Sequence, residues 1–308
     1  MPNKMDASVK AVLLSLFPPG TRVIQSQSYR QDYLRYPMRV HLQTPQDGVR
    51  RCVVKVNLPD LIEREVKALR LLSRVGLDVP EVLFDPVSLP SEERTMVVLS
   101  ELPGRSLPWC GITSLDEADL ACRLTLEGVA RLHHLTARVQ EFDAAFSFPR
   151  NTLASEYAST VADIGEWMNI GIIHEAVEAV GETLAETDTP LVFSNGDYNP
   201  LNFLCDGQAL SGFIDFEGAC FENPHIGFAK FLIWSRDEYG WGTGKKAGLV
   251  ERYLYTRNVS RRAFAPILVL RCLRHLIRDI SLTGRKDGAA RAHMLQLITE
   301  GAQTIERE

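Results

Sequence analysis

Asp197 and Asn202 stand five positions apart, directly after a short apolar run in the second half of the sequence. Phosphoryl transfer needs one carboxylate that orients the attacking hydroxyl group, and oxygen ligands that hold magnesium against the phosphates. Asp197 suits the first task and Asn202 the second. Asp215 ends the next strand-like run and adds another magnesium ligand. The spacing, which is that of a kinase catalytic loop, therefore predicts magnesium-dependent phosphoryl transfer.

A lysine and a glutamate in the first hundred residues suit the phosphate end of such a site. Lys55 lies within the apolar run Cys52–Val56, where a lysine is costly unless it has a partner. A helix is predicted over Asp60–Val75, with Asp60 as its N-cap. Glu65 projects from the apolar face of that helix, whereas Glu63 faces water. We therefore expect a buried ion pair between Lys55 and Glu65 that positions the phosphates of a nucleotide.

The elements that must hold these residues differ on the two sides of Pro103. Strand-like runs crowd the first hundred residues, at Arg22–Ser26, Met38–Gln43, Arg51–Val56 and Thr95–Leu99. Helical spacing dominates afterwards, over Leu115–Arg138, Leu153–Trp167, Ile172–Leu184, Lys245–Leu254, Phe264–Leu282 and Ala289–Ile305. The sequence thus predicts a bilobal α+β fold. A small antiparallel nucleotide-binding lobe with one helix spans 1–103, and a larger, mainly helical catalytic and substrate-binding lobe spans 104–308.

Asp206-Gly207 separates two strand-like runs between the helices and predicts a two-residue hairpin turn. In that register Cys205 faces Gln208, and Asp215 lies beside Asp197. The hairpin would then bring the two acids together.

Composition limits the partners. A net charge of −5 and a pI near 5.9 make nucleic acid an unsuitable partner. Six cysteines without close pairing indicate reduced thiols, and the apolar run Ala11–Phe17 is too short to cross a membrane. A cytoplasmic protein without a membrane partner is expected.

Together these residues resemble the aminoglycoside phosphotransferase and choline kinase group of the protein-kinase-like fold, over roughly residues 20 to 235. Three stretches carry the resemblance: Val54–Leu83 with its VPEVL motif, Val97–Leu107 with LPGRSL, and Leu191–Phe231 with the catalytic loop and IDFE. Leu132-His133 matches a helix motif that precedes the catalytic loop in that group.

The resemblance implies ATP or GTP in a cleft between the lobes, with the base against the backbone of Ser100, Glu101 and Leu102. It also implies bound Mg²⁺ and a small-molecule hydroxyl acceptor. The chain leaves no room for the activation segment of protein kinases, because Asn223-Pro224 leads directly into a helix. The acceptor stays open among aminoglycoside-like compounds, amino alcohols, sugars and related molecules.

Three departures from the family pattern support an alternative, a catalytically weak nucleotide-binding pseudokinase or scaffold. Asn195 stands where the family usually has histidine, and we interpret that histidine as structural. Gly227 replaces an aspartate that braces the catalytic loop, which puts the rigidity of the loop in doubt. The segment Gln27–Pro37 contains no glycine.

Two charged sets have a structural and a functional reading. Arg271, Arg274 and Arg278 are expected to form a solvated helix face rather than an anion site. Acids after the predicted metal strand could attract a cationic acceptor; they are Glu217, Glu222, Asp237 and Glu238. His133 and His134 are expected to be packing and surface residues.

Overall fold

The computed structural model describes residues 5–29, 36–90, 93–107, 114–187, 189–233, 247–283 and 288–306. Strands β1 to β11 span Arg22–Ser28, Met38–Thr44, Gly48–Asn57, Val82–Ser88, Thr95–Ser100, Arg105–Ser106, Arg150–Asn151, Val192–Ser194, Phe203–Asp206, Ala209–Phe213 and Cys220–Glu222. Helices α1 to α10 span Ala7–Ser15, Pro59–Arg74, Leu115–His134, Thr136–Phe146, Leu153–Asp163, Gly171–Thr187, Ile226–Ile233, Leu249–Thr256, Arg261–Thr283 and Gly288–Glu306. The predicted α+β class is confirmed.

The chain folds into two compact units. Unit 1 contains the described parts of Met1–Ser106, Ala137–Phe148 and Asn202–Ala219, and unit 2 contains those of Leu107–Thr136, Pro149–Leu201 and Cys220–Glu308. The assignment of functional lobes to 1–103 and 104–308 stays a prediction.

Unit 1 is built on a five-stranded antiparallel sheet with the strand order β1-β2-β3-β5-β4. Met38, Val40 and Leu42 alternate along β2 and are fully buried, as expected for a strand with one face on the core. Helix α2 begins at Pro59, whose fixed φ and missing N–H suit the first helical position. The predicted N-cap at Asp60 is therefore wrong, because Leu58 takes that position.

A second sheet of unit 1 has the order β10-β9-β6. The predicted hairpin between β9 and β10 exists, but the predicted register is wrong. Asp206 pairs with Ala209 and Cys205 with Leu210, and a bulge follows before Gly212 pairs with Leu204. The turn is thus centred one residue later than expected, and the bulge shifts the ladder again.

Unit 2 is mainly helical, and its core lies among α5, α6, α9 and α10. Fully buried members of this core include Ile173, Val180, Val269, Leu276 and Ile298. Two predicted helices are interrupted. The stretch Leu115–Arg138 divides into α3 and α4 at Leu135, and Leu153–Trp167 ends its α-helix at Asp163 and continues as a 3-10 helix over Gly165–Asn169. A φ of 51° at Gly165 accompanies that change.

Helix α7 and a small sheet with the order β7-β11-β8 complete the part of unit 2 that concerns the site. Among the described cysteines, all five are free thiols, in agreement with the sequence. Within the described ranges, every helix is too short or too polar to serve as a membrane span.

Candidate active site

Lys55 lies at the centre of an acidic cluster in unit 1. Strand β3 carries Lys55, and its Nζ lies 2.7 Å from Glu65 Oε2 on α2 and 2.8 Å from Asp215 Oδ1. Glu217 Oε2 lies 3.7 Å from the same nitrogen. The ion pair between Lys55 and Glu65 was predicted from two apolar patterns, and the contact with Asp215 joins residues 160 positions apart. Glu63 faces solvent on the opposite side of α2, as expected.

Burial and neighbouring charge act together on this cluster. Burial disfavours the charged form of Lys55, but the carboxylates of Glu65, Asp215 and Glu217 outweigh burial and raise the pKa of the lysine. Burial and the other two carboxylates raise the pKa of Glu65, while Lys55 opposes them. The carboxylates of this cluster thus favour the charged form of the Lys55 ammonium.

Asp215 and Asn202 approach each other through the β9-β10 hairpin. The Ile214 N–H donates to Asn202 O at 3.0 Å, which places the residue before Asp215 beside Asn202. Asp215 has a φ of 67°, in the left-handed region that is uncommon outside glycine. The next residue, Phe216, is fully buried, and its N–H donates to Glu65 Oε1 at 3.4 Å. This turn holds the Asp215 carboxylate against Lys55.

The donor atoms at this place suit Mg²⁺. Carboxylate and amide oxygens are its usual protein ligands, and Mg²⁺ binds through one or two carboxylates together with substrate phosphates and water. Three carboxylates around one ammonium leave a negative excess that a divalent cation would neutralise. Among the described residues, no group of three or more His, Cys, Asp or Glu side chains is placed to bind a metal ion by itself. Asp215 and Asn202 therefore fit a metal that nucleotide phosphates also hold.

The three residues predicted to meet the nucleotide base lie at the end of β5 in unit 1, where Ser100 is the last strand residue and Glu101 and Leu102 follow. The Ser100 N–H donates to Glu81 O at 2.8 Å, and Glu101 Oε1 lies 2.5 Å from Arg39 Nε. Leu102 packs against Gly212, where an added Cβ would lie 2.8 Å from its side chain. This stretch is thus fixed on one side by the first sheet and on the other by the hairpin that carries Asn202.

Asp197 belongs to the loop that follows β8 in unit 2. The Asn195 side chain is buried, donates from Nδ2 to Asp197 O at 2.9 Å and accepts from the Asp197 N–H at 3.2 Å. The Gly196 N–H donates to Ser194 Oγ at 2.9 Å, and Gly196 has a φ of 77°. Asn195 therefore braces the backbone of Asp197 without a titratable ring, which agrees with a structural role for this position.

Tyr198 fills the space beside Gly227, the second departure from the family pattern. A Cβ at position 227 would lie 2.3 Å from the Tyr198 ring, which is fully buried. The Tyr198 hydroxyl lies 2.8 Å from His133 Nε2, and Arg257 donates to His133 Nδ1 at 2.9 Å. Since Nδ1 accepts, Nε2 carries the proton and donates to Tyr198. The loop is thus supported by a tyrosine instead of an aspartate.

Lys230 is a functional candidate that the sequence reading missed. It lies on α7, and its Nζ forms an ion pair with Asp197 Oδ1. Lys230 is buried, whereas the Asp197 side chain is 48% exposed. Burial and the nearby Arg271 lower the pKa of Lys230, and the Asp197 carboxylate acts in the opposite direction. A lysine within the apolar run Ile226–Ile233 was the available signal, the same signal that identified Lys55.

Arg271 and Arg274 do not form the solvated face that was predicted. Their side chains are only 22% and 27% exposed, because both face Glu156, which is buried. Arg274 Nη1 lies 3.1 Å from Glu156 Oε1, and Arg271 Nη1 lies 3.7 Å from Glu156 Oε2. Glu222 is also buried. Burial raises its pKa, while a hydrogen bond with Ser194 and the charge of Arg271 oppose that shift.

Asp237 and Glu238, two of the acids considered for a cationic acceptor, lie outside the described residues, as does the side chain of Arg278. Of the other two acids, Glu217 lies beside Lys55 and Glu222 is buried.

Comparison with known proteins identifies the family and the fold. A family model described as "Phosphotransferase enzyme family" matches residues 37–265. A thermostable mutant of aminoglycoside phosphotransferase APH(4)-Ia, in a ternary complex with AMP-PNP and hygromycin B, matches with a TM-score of 0.69 and 14% identity, over 98% of this chain and 100% of that chain. A mutant aminoglycoside 2′-phosphotransferase-IIIa in complex with GDP matches with a TM-score of 0.63 and 14% identity, over 96% of both chains. Among curated proteins, no sequence matches significantly. At such identity the structural matches establish the fold.

Proposed function

This chain belongs to the phosphotransferase enzyme family, and on that premise we propose that it is a small-molecule kinase that transfers the γ-phosphoryl group of ATP or GTP to a hydroxyl group. One observation carries the proposal. Lys55 Nζ lies within 2.8 Å of carboxylate oxygens from both Glu65 and Asp215, in a cluster whose neighbouring loop carries the amide of Asn202. Kinases need this set of groups at the phosphate end of their nucleotide.

Each side chain has a defined task in the proposed reaction. Lys55 binds nucleotide phosphate oxygens, and Glu65 holds the ammonium in place from within the core. Asp215 and Asn202 bind Mg²⁺, which when present neutralises charge on the phosphates. Ser100, Glu101 and Leu102 bind the base through their backbone.

Asp197 receives the acceptor proton. The acceptor oxygen forms a bond to the γ-phosphorus while the bond from that phosphorus to the bridging oxygen breaks. The nucleoside diphosphate leaves with the electron pair, and the hydroxyl proton passes to the Asp197 carboxylate. Positioning and electrostatics supply most of the rate in such a reaction, because the protein forms no covalent bond with its substrate.

Two of the three observations that support the pseudokinase alternative have a structural explanation. Asn195 braces the loop with two hydrogen bonds, and Tyr198 occupies the space beside Gly227. The third observation is the lack of glycine in Gln27–Pro37, a segment that lies largely outside the described ranges.

The decisive experiment replaces Asp197 by asparagine, which keeps the shape of the side chain and leaves an oxygen for Lys230. We expect acceptor-dependent release of nucleoside diphosphate to fall about 10³-fold, within the range for loss of a general base. Nucleotide affinity, measured by calorimetry with AMP-PNP and Mg²⁺, should stay within about twofold because the nucleotide ligands are unchanged. Full turnover in the Asp197→Asn variant would remove Asp197 from this role. An unmodified protein that binds nucleotide but phosphorylates no alcohol would favour the pseudokinase.

A further inference from the structure

Three cationic side chains of unit 2 that are mostly shielded from solvent form one group with Asp197; they are Lys230, Arg271 and Arg274. Lys230 is in contact with Asp197, and helix α7, which carries Lys230, packs against helix α9, which carries Arg271 and Arg274. Arg274 and Arg271 share the single buried carboxylate of Glu156. Glu222 is a further buried acid near this group, and burial raises its pKa while the charge of Arg271 opposes that shift.

The hydrogen bonds within this group are incomplete. Among the described residues, the buried atoms Arg271 Nε and Glu156 Oε2 have no hydrogen-bond partner, and the buried Lys230 Nζ has the Asp197 carboxylate as its partner in an ion pair. The separation of 3.7 Å between Arg271 Nη1 and Glu156 Oε2 is an ionic contact too long for a hydrogen bond. A buried ammonium has three N–H donors, and leaving donors unpaired in the interior is unfavourable. An oxygen-rich, negatively charged group bound by Lys230 and Arg271 would satisfy both.

We propose that Lys230 and Arg271 form a subsite for an anionic group, a carboxylate or a phosphate, carried by the hydroxyl compound that the enzyme phosphorylates. The subsite rests on the proposed function, because Asp197 marks the acceptor end of that reaction. The guanidinium of Arg271 can bind two oxygens of one anionic group at once. A polycationic acceptor would instead meet two cations of its own sign at this place.

Matched acceptors test this subsite without knowledge of the natural substrate. The probes are 4-hydroxybutyrate, 1,4-butanediol and 4-amino-1-butanol, which share a hydroxyl group and differ in the charge at the other end, together with glycerol 3-phosphate, glycerol and kanamycin. Turnover is measured as acceptor-dependent release of nucleoside diphosphate. Binding is measured as the change in melting temperature of the full chain with AMP-PNP and Mg²⁺. We expect the anionic member of each set to exceed its neutral analogue about tenfold in kcat/KM, and to raise the melting temperature more.

Arg271→Gln should raise the KM for the anionic acceptors about tenfold while changing kcat and the KM for neutral acceptors little. Arg271→Lys should recover part of the loss, because it restores the charge but not the fork. Lys230→Gln should raise the KM for the anionic acceptors as well, and it should also lower kcat with every acceptor because Lys230 contacts Asp197. Arg131→Gln is the matched control, since Arg131 is exposed on α3 and its ion pair among the described residues is with Glu127. A purely structural role for Arg271 would reduce stability and lower the rates with all acceptors equally.

The outcomes separate the subsite from the kinase activity. Equal or weaker responses to the anionic probes in both assays would overturn the subsite, and phosphorylation of kanamycin alongside them would leave the kinase proposal standing. Conversely, a melting shift specific to anions and lost in Arg271→Gln, without phosphorylation of any acceptor, would support the subsite and contradict the proposed reaction.

Discussion

At the scale of residues, the Lys55 ammonium lies within 4 Å of the carboxylates of Glu65, Asp215 and Glu217. Lys55→Met would leave the carboxylate of Glu65 buried without its counter-ion. We expect a loss of about 3 kcal/mol in the free energy of unfolding, typical of breaking a buried pair from one side. Urea denaturation at neutral pH measures it.

Adding Glu65→Leu to the Lys55→Met variant should recover part of that loss, because the buried charge is then removed. Lys67→Met is the control, since Lys67 pairs with Glu63 on the exposed face of α2 and should change stability by less than about 0.5 kcal/mol. A Lys55→Met protein as stable as the unmodified one would show that the ion pair between Lys55 and Glu65 does not stabilise the fold.

The two buried lysines show what sequence patterns can and cannot give at this scale. Lys55 was identified because a partner of opposite charge, Glu65, projects from the very next element. Lys230 occupies an equally apolar run, but its partner Asp197 lies 33 positions earlier in a loop, and no local periodicity points to it. Arg271 and Arg274 were misread for the same reason, since Glu156 belongs to a helix more than a hundred positions away.

At the scale of elements, the loop that carries Asp197 packs on α7 through Tyr198 and Gly227. Gly227→Asp would restore the residue usual in the family, yet its Cβ would collide with the Tyr198 ring. We expect this variant to lose about 2 kcal/mol in the free energy of unfolding, as overpacked cores do, and most of its activity. Thermal unfolding and turnover assays check both.

Tyr198→Leu in the Gly227→Asp background should restore stability, because it removes the colliding ring. Gly171→Ala is a suitable control, since an added Cβ there would meet no atom within 4 Å. Equal effects of the two glycine substitutions would show that packing against Tyr198 is not the cause.

Helices and strands were predicted well where the apolar periodicity is strong, and poorly where a single residue sets the register or the boundary of the element. Helices α2, α9 and α10 agree closely with their predicted ranges, because their apolar positions recur over several turns. The β9-β10 register failed because the bulge near Ser211 inserts a residue that alternation does not reveal. The split between α3 and α4 at Leu135 was missed because the apolar spacing continues across it.

At the scale of the whole molecule, two histidines make stability depend on pH. Burial and the charge of Arg257 lower the pKa of His133 to about 3, and burial with the same arginine lowers the pKa of His225 to about 4. An unfolded histidine has a pKa of about 6.5. The unfolded chain therefore binds protons first as the pH falls below about 6.5, and the folded state loses stability until the pH reaches about 4 for His225 and about 3 for His133.

We expect the two histidines to cost about 4 kcal/mol together between pH 7 and pH 5. Urea denaturation at both pH values, on the unmodified chain and on a His133→Gln/His225→Gln variant, measures their share. Glu65 and Glu222, whose pKa values are raised, act in the opposite sense, but they are present in both proteins and cancel in the comparison. An equally steep pH profile in the variant would contradict the assignment.

In unit 1, the stretch that follows β5 is attached to the β9-β10 hairpin. Ser211 donates to Pro103 O at 3.2 Å, and Arg105 pairs with Cys205, so the stretch proposed to read the base is fastened to the hairpin that presents Asn202 and Asp215. Gly104, with a φ of 102° and Cys205 O within 2.9 Å of where its Cβ would be, lets the two approach so closely. In the proposed binding mode, the base and the phosphates of a nucleotide would therefore be held by two connected parts of unit 1 at a set separation, and a shorter or longer phosphate chain would fit that separation poorly.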